Sequence, residues 1–166
     1  MKTMNENRNT PTIWLDMDGT IADLYSVPEW LTMLRAENTR PYREARLLLT
    51  ADQIEFLQDF IRRGGNVGII SWTSKCGSYD YNKRVRAAKV NWLKKHLPLP
   101  YAEIHVVKYG TPKSAFGKPG DYLIDDEPQN LADFTADGTK FAFHPSEWGQ
   151  LIDHIAYYHQ GMKNED

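Results

Sequence analysis

Short apolar runs, each ending in polar residues, punctuate the chain, and stretches with helical spacing separate them. Thr12-Ile13-Trp14-Leu15 is the first run and stops at Asp16. Asn66 to Ile70, Ile104 to Val107, Tyr122 to Ile124 and Lys140 to Phe143 follow. Brief apolar runs bounded by turn residues read as buried strands. Thr50-Ala51-Asp52-Gln53 has the form of a capping box, with Thr50 as N-cap. Ile54, Leu57 and Ile61 then share a helical face, and Gly64-Gly65 ends the helix. Tyr81 to His96 reads as a second helix, with Val85, Ala88 and Trp92 on one face and Pro98 and Pro100 beyond its end. A closing helix starts near Ser146 and carries Trp148, Leu151, Ile152 and Ile155 at helical spacing. Residues 21–50 are irregular, with an amphipathic stretch around Trp30 to Leu34 and a basic stretch from Arg40 to Arg46.

Strands alternating with helices predict an α/β, Rossmann-like three-layer sandwich around a central parallel sheet of about five strands. The stretch 21–50 becomes a small helical cap inserted after the first strand of a single domain spanning 11–160. The polar ends, 1–10 and 161–166, are expected to be flexible tails. There is no internal repeat and no low-complexity segment.

Composition narrows the class. An apolar content of 41% supports a packed core, and a net charge of −2 removes any overall electrostatic case for nucleic-acid or membrane binding. No apolar run approaches the ~20 residues that span a bilayer. The single cysteine, Cys76, excludes an internal disulfide; with no signal-peptide pattern at the start, the expectation is a reducing cytoplasm. Cys76 reads either as a reactive thiol or as an ordinary loop residue. Nothing in the sequence indicates an oligomeric state.

In parallel sheets, ligands bind beyond the carboxyl ends of the strands, so the residues after each run are the candidates. The first run is followed by Asp16 and Asp18; the second by Ser71, then Thr73 and Ser74; the third by Lys108 and Lys113; the fourth by Asp125 and Asp126. Four carboxylates at one edge cannot all stay ionised without a cation. Oxygen-rich sites of this kind suit Mg²⁺. Lysine and hydroxyl groups suit a phosphoryl group, and a metal offsets the repulsion between an anionic nucleophile and an anionic phosphoester. The two carboxylates of Asp16-x-Asp18 suit a nucleophile beside a general acid/base. An EF-hand is excluded because loop position twelve counted from Asp16 is Val27. No histidine has zinc-ligand spacing with a partner cysteine. A receiver-type phospho-accepting domain places its acidic pair at the first strand and its lysine last, whereas here the lysine comes before the final acidic pair. Tyr25, Trp30 and Tyr42 read either as a base-stacking wall or as packing of the cap. Arg40, Arg43 and Arg46 read as a solvated helix face or as phosphate attractors.

Asp16-Met17-Asp18-Gly19-Thr20 resembles the first motif of the haloacid dehalogenase (HAD) superfamily of phosphohydrolases, and Ser71 after Val67-Gly68-Ile69-Ile70 resembles the second. Lys113 resembles the third, and Asp125-Asp126 after Tyr122-Leu123-Ile124 the fourth, so the likeness extends from Ile13 to Phe143. Within the superfamily the chain is most similar to the 5′(3′)-deoxyribonucleotidase group, through Asp121 to Asp126, Val90-Asn91-Trp92-Leu93 and Trp148. It departs from that group in having Ser71-Trp72-Thr73-Ser74 where threonine-serine is expected, and in the short insertion at 21–50.

The resemblance implies a Mg²⁺-dependent phosphomonoester hydrolase. Asp16 would form an aspartyl-phosphate, and Asp18 would act as acid and then base. Ser71 and Lys113, with Thr20 and Thr73 as further hydroxyls, would bind the phosphoryl group; Ser71 is favoured over Thr73 and Lys113 over Lys108. Mg²⁺ would sit on Asp16, the Asp18 carbonyl oxygen and Asp126, with Asp125 in support. The implied substrate is a (deoxy)nucleoside monophosphate. The alternatives are another small phosphoester, a nucleic-acid terminal phosphate, or a catalytically silent binding module.

Overall fold

Thr12–Leu15 (β1) is buried on both faces and lies at the centre of a five-stranded sheet of order β3-β2-β1-β4-β5. The other strands are Asn66–Trp72 (β2), Glu103–Val107 (β3), Tyr122–Ile124 (β4) and Phe141–Phe143 (β5). Every pairing is parallel, so all the carboxyl ends reach one edge. This is a computed structural model, and it describes residues 10–158. Of the tails expected at 1–10 and 161–166, all but Thr10 lie outside the described residues.

Helices follow the spacing of apolar positions. They are Trp30–Arg35 (α1), Arg40–Glu44 (α2), Ala51–Arg62 (α3), Tyr79–His96 (α4), Pro128–Thr135 (α5) and Trp148–Tyr158 (α6). The Thr50–Gln53 capping box is formed in both directions at the start of α3. From β1 the chain steps to β2 and β3 in one direction and from β4 to β5 in the other. Right-handed crossovers then put α3 and α4 on one face and α5 on the opposite face. The period-two alternation of β1 serves both. Ile13 and Leu15 join Leu57, Trp92, Leu151 and Ile155 in one core, while Trp14 joins Ile70, Leu123 and Phe134 in the other. Among the described residues no helix is long and apolar enough to cross a membrane.

Two elements differ from the sequence reading. β2 runs on to Trp72 instead of ending before Ser71, because its last residues pair with Val106 and Val107 of β3. α5 falls where the apolar pattern assigns nothing: only two of its eight residues, Asn130 and Phe134, are buried, too few to register as periodicity.

The insertion after β1 is a closed excursion. Ala22 pairs antiparallel with Leu47, Asp23 N donates to Arg46 O at 2.9 Å, and Leu48 N donates to Ile21 O at 2.9 Å. Its far end is pinned to α4. Ser78 donates to the Glu37 carboxylate from both N and Oγ at 2.8 Å; nearer the stem, Trp92 Nε1 donates to Ala45 O at 2.6 Å. Leu24 and Tyr42 pack on Tyr81, Val85 and Ala88 beneath. Arg40 and Arg46 are tied to Glu44 and Asp23 on the surface.

Asp121 acts as a buried clamp. Its carboxylate accepts from Thr12 N (2.9 Å), Trp14 Nε1 (3.0 Å) and Lys118 N (2.8 Å). Asp121→Ala leaves two buried donors, Thr12 N and Trp14 Nε1, without a partner, so it is expected to cost about 2–4 kcal/mol of unfolding free energy. Urea denaturation measures this, and a loss near zero would show that the clamp is dispensable.

Candidate active site

The chain turns sharply on leaving β1. Asp16 N extends the ladder by donating to Ile124 O at 3.0 Å, and Met17 O then accepts from Thr20, Ile21 and Ala22 N at 3.1, 3.0 and 2.9 Å. Gly19 is required here twice over. Its φ of +79° lies in the left-handed region, and a Cβ would stand 2.3 Å from Asp126 Oδ2. The turn therefore brings the Asp16 loop hard against the residues that follow β4.

Carboxylate oxygens of Asp16, Asp125 and Asp126 lie within 4.8 Å of one another. Buried Lys113, at the head of a 3₁₀ turn, donates to Asp16 Oδ1 and Asp125 Oδ2, both at 2.6 Å. Burial alone would lower the Lys113 pKa, but the two carboxylates outweigh it and raise it. Asp125 is fully buried, and its oxygens also accept from Asn130 Nδ2 (3.0 Å) and Glu127 N (2.9 Å). Thr20 Oγ1 is within reach of Asp16 Oδ2 (3.1 Å) and Asp126 Oδ1 (3.3 Å) and accepts from Asp126 N (3.2 Å). A hydroxyl has one proton, so it can donate to only one of the two carboxylates at a time.

Asp18 stands apart from this trio. Its Oδ2 accepts from Lys89 Nζ at 2.6 Å, and Lys89 also donates to Ser71 Oγ at 2.8 Å and Trp72 O at 2.7 Å. Burial raises the Asp18 pKa, opposed by Lys89 and reinforced by Asp16. Burial with repulsion from Asp16 lifts Asp125 to about 6, and burial with repulsion from Asp16 and Asp125 lifts Asp126 to about 7. Lys113 thus leaves the acidic cluster short of positive charge. Hard oxygen donors with that deficit fit a divalent cation such as Mg²⁺.

A cleft of about 660 Å³ opens above these groups. Asp16, Asp18, Thr73, Lys113, Asp125 and Asp126 line its floor. Tyr25, Trp30 and Tyr42 from the excursion also line it, as do Trp72 and Tyr109. Tyr25 meets Trp30 edge-on at 5.0 Å, and Trp72 meets Tyr109 at 4.8 Å between ring centroids. Arg35 and Lys75 stand among the lining residues.

Of the residues singled out from sequence, two sit differently from expectation. Ser71 is 0% exposed and turned to Lys89, whereas Thr73 lines the cleft. The extra length of β2 is the reason: it carries Ser71 inside the sheet and leaves Thr73 as the first residue beyond it. Thr20 lies under the carboxylates, bonded to them, and is absent from the cleft lining. Lys108 is exposed and outside the cleft lining, while Lys113 is within it. Sequence reasoning missed Lys89, Asn130, Arg35 and Trp72. For Lys89 a signal existed: it falls at i+4 from Val85 and between Ala88 and Trp92, a lysine on the apolar stripe of α4.

No protein-family model matches the chain, and no curated protein matches it. Among solved structures, a crystal structure of a candidate HAD-like phosphatase from Mesorhizobium loti is similar, at 14% identity and a TM-score of 0.40, over 79% of this chain and 69% of that one. At that level the likeness carries no functional argument.

The raised carboxyl pKa values set a linkage. Between the ordinary carboxyl range and about 7, the folded protein binds more protons at Asp126 than the unfolded chain does. Its stability therefore falls as pH rises through that window. A metal that needs the ionised carboxylates reverses this loss. Mg²⁺ at a hundred times its Kd is expected to raise the melting temperature by about 5–10 °C at pH 8, and far less at pH 5. A Mg²⁺ shift independent of pH in thermal melts would contradict a carboxylate metal site.

Proposed function

We propose that this chain is a Mg²⁺-dependent phosphomonoester hydrolase of the HAD type, acting through an aspartyl-phosphate on Asp16 and releasing phosphate from (deoxy)nucleoside monophosphates. The observation that carries the reading is the division of labour at the cleft floor. Asp16 is paired with Lys113 at 2.6 Å, while Asp18, two residues on, belongs to a separate lysine and lines the same cleft.

In this reading the Asp16 carboxylate attacks phosphorus and the bond to the leaving oxygen breaks. Asp18, whose pKa is raised by burial, passes its proton to that oxygen. The Asp18 carboxylate then takes a proton from water as the water attacks the aspartyl-phosphate, freeing phosphate and restoring Asp16. Lys113 and Thr73 hold phosphoryl oxygens, with Thr73 in the place expected of Ser71 because Thr73 is the one that lines the cleft. Thr20 orients Asp16 and Asp126 rather than the substrate. Bound Mg²⁺, held by Asp16, Asp126 and the Asp18 carbonyl oxygen with Asp125 in support, would offset the repulsion between carboxylate and phosphate.

The aromatic lining supports a planar base as the leaving group's far end, since stacking on Trp72 and Tyr109 suits any nucleobase. A nucleic-acid terminal phosphate is the second reading; Arg35 and Lys75 at the cleft favour it by offering charge to neighbouring phosphates. A reducing cytoplasm is the compartment that suits the one exposed cysteine, Cys76.

Hydrolysis of a panel of nucleoside 5′- and 3′-monophosphates, sugar phosphates and phosphorylated oligonucleotides tests the assignment. Asp16→Asn is expected to lower kcat by about 1,000-fold or more, and chelation of divalent cations to abolish turnover. Tyr109→Ala is expected to raise KM for nucleotides about tenfold, with a smaller effect on sugar phosphates. Absence of Mg²⁺-dependent hydrolysis across the whole panel would defeat the phosphatase reading.

A further inference from the structure

We propose that Lys89 is a positioning residue that fixes which oxygen of Asp18 handles the proton. This assignment rests on the phosphatase reading above. Lys89 extends from α4 beneath the excursion and is 1% exposed. Its ammonium has three protons, and all three are taken, by Asp18 Oδ2 (2.6 Å), Ser71 Oγ (2.8 Å) and Trp72 O (2.7 Å). None remains for a phosphoryl oxygen, so Lys89 does not duplicate Lys113. The Tyr42 ring covers it, with the centroid 5.0 Å from Nζ.

The consequence falls on Asp18. With Oδ2 bound to Lys89, the carboxyl is held in one orientation, and Oδ1 has no hydrogen-bond partner among the described residues. Oδ1 is therefore the atom that gives its proton to the leaving oxygen and later takes one from water. Ser71 acquires a purpose by the same geometry: its buried hydroxyl, next to Ile69 and Ile70 in the strand, serves as the socket for Lys89. Two buried lysines thus divide the acidic loop, Lys113 with the nucleophile and Lys89 with the acid/base.

The test compares leaving groups in single turnovers of the full chain with Mg²⁺. A nitrophenolate departs with little need of a proton, whereas a nucleoside alkoxide needs one. In Lys89→Met, release of the nucleoside is expected to slow about 100-fold more than release of nitrophenol from p-nitrophenyl phosphate. The Mg²⁺-induced melting shift is expected to match the wild type, because the Asp16–Asp125–Asp126 cluster does not touch Lys89. Should Lys89→Met fail to melt cooperatively, Ser71→Ala carries the test, with a selective loss of about tenfold. Equal losses on the two substrates, or no loss on either, overturn the assignment. A wild-type protein inactive on both overturns the phosphatase reading itself, and this assignment with it.

Discussion

Confining like charges at one edge of a parallel sheet is the constraint around which the rest of this molecule is arranged. Asp16, Asp18, Asp125 and Asp126 arrive there because β1 and β4 are neighbours and point the same way. Left alone, such a cluster would protonate or push itself apart. Lys113 relieves it by sitting between Asp16 and Asp125, and the remaining excess appears in the raised pKa values of Asp125 and Asp126. That residue of unbalanced charge turns a structural problem into a site suited to a cation and an anionic substrate.

The geometry depends on small groups as much as on charged ones. Gly19 lets the first loop lie against Asp126 with no room for even a methyl group. Thr20 spans Asp16 and Asp126 with a single proton, so it donates to one of them at a time. Above the floor, the excursion after β1 is fastened at its stem by Ala22 and Leu47 and at its tip by Glu37 on Ser78. This double fastening holds Tyr25, Trp30 and Tyr42 over the carboxylates and sets Tyr42 as a cover for Lys89.

Much of this was legible in local spacing. The alternation of β1, the capping box at Thr50 and the apolar stripe of α4 each depend on residues a few positions apart, and each formed as read. The parallel α/β sheet followed from their order. Where the reading slipped, the deciding partner was distant. β2 outran its apolar run because β3 pairs with it as far as Val107. α5 has no apolar stripe: of its two buried side chains, Phe134 packs with the distant Trp14, Ile70 and Leu123, while Asn130 is polar and binds nearby Asp125.

By itself the sequence determined which chemical groups follow each strand, and in what order: carboxylates, hydroxyls, lysine, carboxylates. Tertiary structure alone decided which of them share a site and in what role. Ser71 and Thr73 are two residues apart, yet only the sheet's pairing turns one to Lys89 and the other to the cleft. Lys113 meets Asp16 across 97 positions and Lys89 meets Asp18 across 71. Local preferences reach only a few residues, whereas a buried ion pair is made wherever packing brings its two charges together.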